Sequence, residues 1–67
     1  MELSVIVPIY NEEANIGELY QRLLGVLDAL PLPGGFELIF VNDGSRDDSW
    51  AMMEALAAED PHLVAVN

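Results

Sequence analysis

Three short apolar runs set the limits on how this chain can fold: Leu3–Ile9 (LSVIVPI), residues 36–41 (FELIFV) and Leu63–Val66 (LVAV). Each has the length and β-branched content of a strand buried on both faces. Pro8 has no N–H for a sheet ladder, so the first strand is expected to end there. Between the first two runs, Ile16, Leu19, Tyr20, Leu23, Leu24, Leu27 and Leu30 recur at helical spacing. Asn15, with Glu18 three residues on, fits the N-cap of that helix, and Pro31-Leu32-Pro33-Gly34-Gly35 ends it. Tyr20 reads as core or boundary packing. A second helix is predicted to begin within residues 45–48, capped by Ser45 with Asp48 or by Asp47. Trp50, Met53, Leu56 and Ala57 form its apolar stripe. The restriction on the residue before a proline closes it at Asp60-Pro61.

The order β-α-β-α-β implies a parallel sheet joined by right-handed crossovers. The expected class is α/β: a three-layer half of a Rossmann-like, doubly wound sheet with strand order 3-2-1. Strand one then lies at an edge, although its composition is that of a buried strand. A missing segment or a second copy of the chain is expected to cover that edge, which suggests self-association. With 67 residues, a single domain buries only about 60% of the surface its unfolded chain exposes.

Charge and composition narrow the function. Twelve acidic residues against two basic ones give a net charge of −10, a field that repels DNA, RNA and anionic membrane surfaces. A polyphosphate ligand would need a divalent cation or backbone N–H groups to offset that charge. The chain has no cysteine, which excludes disulfides, thiolate nucleophiles and cysteine-based zinc sites. His62 cannot build a metal site alone, and no Ser-His-Asp set can be assembled. Met1-Glu2-Leu3-Ser4 lacks the basic start of a signal peptide, and no apolar stretch approaches the roughly 20 residues of a membrane span. The expected location is cytoplasmic.

Ligands of open α/β sheets bind beyond the carboxyl ends of the strands. Two polar segments fall there, Pro8-Ile9-Tyr10-Asn11-Glu12-Glu13 and Val41-Asn42-Asp43-Gly44-Ser45. Asp43 can accept hydrogen bonds from the N–H edge of a nucleobase. Tyr10 offers an aromatic face and a hydroxyl. Glu12 can accept from ribose hydroxyls, Pro8 fixes the loop geometry, and Gly44 permits a sharp turn. Taken singly, each segment is also ordinary turn or helix-start chemistry; their coincidence at adjacent strand ends favours a site. Neither a Walker loop nor a G-x-G-x-x-G follows strand one.

At these positions the sequence resembles a known family. Residues 4–16, SVIVPIYNEEANI, look like the opening of family 2 (GT-A fold) glycosyltransferases, and residues 37–49, ELIFVNDGSRDDS, resemble their second motif, usually V-D-D-G-S-x-D. The closest flavour is the dolichyl- or polyprenyl-phosphate sugar transferases. The resemblance implies that Pro8, Tyr10 and Glu12 line a donor nucleotide and that Val41 and Asp43 contact its base. Asn42 departs from the usual Asp, so no metal role is carried over to it. Asp47 matches the motif's last Asp and is expected to cap a helix. The family's D-x-D motif, which holds the diphosphate through Mg²⁺ or Mn²⁺, and its catalytic base come later than these motifs. The expectation is therefore a partial domain over residues 1–67, truncated before D-x-D, holding no metal and inactive alone. Its parent would be an inverting enzyme at the cytoplasmic face of the membrane. That enzyme would move a sugar from a UDP- or GDP-sugar to a lipid phosphate or glycan. The alternative is a non-catalytic binding module or a receiver-like regulatory domain, which shares only the architecture.

Overall fold

A computed structural model describes residues 2–67. Its elements in chain order are β1 (Leu3–Ile9), α1 (Ile16–Asp28), β2 (Phe36–Asn42), α2 (Ser49–Glu59) and β3 (Leu63–Val66). The strands are parallel and ordered β1-β2-β3, which reads 3-2-1 from the opposite edge. β1 pairs with β2 from Leu3↔Phe36 to Ile9↔Asn42, and β2 pairs with β3 from Leu38↔Leu63 to Val41↔Val66.

Side chains alternate between the two faces of a strand, and here only one face is covered. Leu3, Val5, Val7 and Ile9 share it with Phe36, Leu38, Phe40, Leu63 and Ala65; Ile16, Tyr20 and Leu27 of α1 and Met53 of α2 join the same core. Both helices thus lie on one side. Strand order explains this, because successive right-handed crossovers that step in one direction drop every helix on the same side. A helix on the second face requires the strand order to reverse, and these three strands contain no reversal. The described residues therefore make two layers rather than the expected three, and the strands are buried on one face rather than both. The opposite face presents Ile6, Val64 and Val66, with Ile6 67% exposed.

The covered face supplies the stability. Ile9, Ile16, Leu38, Phe40 and Met53 are fully buried, and each such side chain contributes about 1.5–3 kcal/mol by leaving water. At the amino end of the sheet, the His62 ring stacks on Phe36 with centroids 4.8 Å apart. Asp60, just after α2, accepts hydrogen bonds from the Tyr20 hydroxyl and from the His62 backbone N–H.

Three local expectations change. β1 runs through Pro8 to Ile9. The Ile9 carbonyl accepts from Asp43 N–H at 2.8 Å, so Ile9 points its backbone at β2 and Pro8 points its own at the open edge, where a missing N–H breaks no ladder bond. Asn15 occupies the N-cap of α1 without a side-chain cap bond; its amide donates to Glu12 Oε2 instead. α2 starts at Ser49, after residues 45–48, and Asp48 at its N-cap makes no side-chain cap bond either. The alternative cap, Asp47, serves as expected, accepting from Ser49 N–H at 2.9 Å.

Candidate functional site

The carboxyl ends of β1 and β2 carry two loops, residues 10–15 and 43–48, that are laced together. Asn11 adopts a left-handed backbone, φ 48°, which Asn tolerates better than most residues. From that turn three successive N–H groups of the first loop reach side chains of the second loop and of the first residue of α2. Asn11 N–H donates to Ser45 Oγ at 3.0 Å, Glu12 N–H to Ser49 Oγ at 2.8 Å, and Glu13 N–H to Asp47 Oδ2 at 3.2 Å. A bond in the reverse direction runs from Arg46 N–H to Asn11 Oδ1 at 2.7 Å. Ser49 is a fully buried polar residue, and it is satisfied by this exchange.

The second loop has its own internal support. Gly44 has φ 73°, and a Cβ there would meet nothing within 4 Å. Glycine is thus favoured by the backbone turn and not by crowding. Asn42 Oδ1 accepts from Ser45 N–H at 3.1 Å, while its amide donates to Asn67 Oδ1 at 2.8 Å. An aspartate could accept the first bond equally well and take the second from the Asn67 amide turned the other way. Asp47 is held below the usual carboxylate range by its side-chain hydrogen bond with Ser49, working against desolvation and aided by the Ser49 and Glu13 N–H groups.

The five residues singled out as nucleotide contacts gather at this end of the sheet. Pro8 and Val41 are register partners on the uncovered face, and Val41 pairs with Val66 on its other side. Asp43 follows β2 directly, its N–H on the Ile9 carbonyl, and its exposed carboxylate has no hydrogen-bond partner among the described residues. Tyr10 is 57% exposed, with its ring available. Glu12 is half-buried and engages Asn15 through one carboxylate oxygen. Asn11, Ser45 and Ser49 are the residues that sequence reasoning missed as builders of this region. The visible signal was only their polarity, since each acts through a partner more than 30 positions away.

The charge here is unfavourable to a bare phosphate. The two loops carry five acidic residues, Glu12, Glu13, Asp43, Asp47 and Asp48, against one cation, Arg46. The N–H groups of Asn11, Glu12, Glu13, Asp43, Ser45 and Arg46 already donate to protein acceptors, so they cannot cradle an anion as a phosphate loop does. No three metal-ligating side chains converge among the described residues, and both Asp47 oxygens are occupied by N–H donors. The residues present do not fit as holders of a Mg²⁺ or Mn²⁺ ion. A shallow depression of about 240 Å³ lies elsewhere, along α1 between Asn15, Glu18, Leu19 and Arg22. Two of its lining residues, Arg22 and Glu18, form a solvated ion pair with each other, which makes it a weaker candidate site. No helix among the described residues is long and apolar enough to cross a membrane.

The chain belongs to glycosyl transferase family 2, whose family model matches residues 4–66. Among curated proteins, the undecaprenyl-phosphate 4-deoxy-4-formamido-L-arabinose transferase of Shewanella sediminis is 43% identical over 65 residues, covering 96% of this chain and 19% of that protein. The uncharacterized glycosyltransferase YkcC of Bacillus subtilis is 40% identical over 67 residues, covering 100% of this chain and 20% of its own length. The uncharacterized glycosyltransferase sll0501 of Synechocystis is 53% identical over 47 residues, or 70% of this chain and 14% of that one. The chain thus spans about a fifth or less of the length of these relatives.

Proposed function

We infer that this chain is the nucleoside-recognising part of an inverting glycosyltransferase that moves a sugar from a UDP- or GDP-sugar to a polyprenyl-phosphate acceptor. The observation that carries the reading is the presence of Tyr10, an exposed aromatic residue, and Asp43, an exposed carboxylate with no hydrogen-bond partner among the described residues, on the two adjacent loops at the carboxyl ends of β1 and β2. In this reading the Asp43 carboxylate accepts from the N–H edge of the base, Tyr10 packs on the base or ribose, and Glu12 accepts from ribose hydroxyls. Pro8 and Val41 form the floor beside them. The N–H groups of Asn11, Glu12, Glu13, Asp43, Ser45 and Arg46 are engaged, which favours the chain taking the nucleoside end of the donor and leaving the diphosphate to groups elsewhere in the enzyme. A divalent ion held by those groups would neutralise the departing nucleoside diphosphate. The acceptor class is taken from the name of the Shewanella relative, and the work would be done at the cytoplasmic face of a membrane. Self-association of the chain would occur through its uncovered strand edge or sheet face.

Saturation-transfer NMR with UDP, GDP and, as a control, AMP tests the nucleoside assignment at the millimolar affinities expected of a partial site. Transfer to the protons of uracil or guanine, and weaker transfer to adenine, is the expected result. Equal transfer to all three, or none, would contradict the reading.

A further inference from the structure

We propose that Asn11 and Ser49 are positioning residues that lock the two strand-end loops into one preformed surface, so that Tyr10 and Glu12 are held opposite Asp43 before any ligand arrives. The inference rests on the nucleoside reading above and adds two residues to it, neither of which touches the ligand. Three successive N–H groups, those of Asn11, Glu12 and Glu13, cross to the second loop and to the start of α2, and one returns from Arg46. Such a run of bonds fixes both loops relative to each other, whereas a single contact would leave each free to pivot.

Asn11 has two jobs that few side chains combine. Its left-handed φ of 48° turns the chain so that the following N–H groups face the second loop, and its Oδ1 accepts the bond that comes back. Ser49 anchors the other end from inside the protein: it is fully buried, it is the first residue of α2, and its hydroxyl accepts from Glu12 N–H. The loop that carries Tyr10 and Glu12 is thereby tied to the start of a packed helix. Preorganisation of this kind strengthens binding by removing the ordering cost of the loops.

The test compares Asn11→Gly, which keeps the backbone turn and deletes the acceptor, with Asn11→Asp, which keeps both. Ser49→Ala provides an independent break at the buried end. For each folded variant, amide hydrogen exchange at residues 11–13 and 46 is measured beside NMR titration with UDP and GDP. In Asn11→Gly the Glu12, Glu13 and Arg46 amides are expected to exchange roughly ten-fold faster, and the nucleotide that wild type prefers to bind about five- to ten-fold more weakly. Asn11→Asp is expected to restore both. Amides that loosen while affinity holds would overturn the clasp, as would weakened affinity without loosening or without rescue by Asn11→Asp. A wild-type chain that binds neither nucleotide would instead remove the nucleoside reading and the clasp's ligand role with it.

Discussion

The hydroxyl of Tyr20 on α1 donates to Oδ2 of Asp60, the residue that closes α2, across 40 positions of sequence. It is a polar link between two helices that otherwise meet through apolar side chains. A chain of this size has a total stability of about 3–10 kcal/mol, so one charge-assisted bond matters. Tyr20→Phe removes the donor and leaves Asp60 partly desolvated; it should cost about 1–2 kcal/mol, read as a lower urea midpoint. An unchanged midpoint would show that water replaces the bond at no cost.

The same pair predicts two limits on pH stability. Desolvation works to raise the Asp60 pKa, but donation by the Tyr20 hydroxyl and by His62 outweighs it and holds the carboxyl below its usual range. A depressed folded pKa contributes stability above the unfolded value and loses it as pH falls through the folded one. Tyr20 works in the opposite direction. Its hydrogen bond to Asp60, then burial, raises its pKa from 10.0 to about 12, so its contribution is full below pH 10 and disappears as pH rises towards about 12. Urea midpoints measured from acid to alkali should show both limbs, and Asp60→Asn should shrink both, leaving at the alkaline end the part due to burial of Tyr20 and to Glu59 and Asp28 and at the acid end the part due to Asp47. An alkaline limb undiminished in Asp60→Asn would contradict the assignment.

Adjacent register pairs of the sheet should respond very differently to substitution. Leu38 is fully buried against the helices, whereas Ile6, on the opposite face, is 67% exposed. Leu38→Ala should cost about 2–5 kcal/mol, enough to unfold much of the chain in circular dichroism. Ile6→Lys should change stability by no more than about 0.5 kcal/mol and reduce concentration-dependent sedimentation by breaking the apolar patch. Comparable damage from both substitutions would mean that the second face is covered in solution.

Sequence reasoning recovered what is periodic. The three apolar runs became the strands, the spacing from Ile16 to Leu27 became α1, and the parallel β-α-β-α-β order put the two polar segments at the same end of the sheet. It misjudged what depends on neighbours. Pro8 stays in β1 because its strand is an edge, and the uncovered face exists because three strands in one order place both helices together. Asn11 and Ser49 carried no periodic signal: side-chain bonds to a distant backbone leave no local pattern, and a serine at a helix start looks alike whether it is buried or solvated. The Tyr20–Asp60 link was hidden for the same reason, although Tyr20 itself was correctly read as packing. The motifs at the strand ends were legible as a family resemblance, which the family match over residues 4–66 now shows.

The central claim, that the clasped loops recognise the nucleoside of a sugar donor, is tested most directly by amide-resolved NMR titration of UDP and GDP into the wild-type chain and Asp43→Ala. The account predicts shifts confined to the loops around Tyr10, Glu12, Val41 and Asp43, stronger for one base than the other, and losing that preference in Asp43→Ala. Shifts centred on Asn15, Glu18, Leu19 and Arg22, or base selectivity that survives in Asp43→Ala, would contradict it.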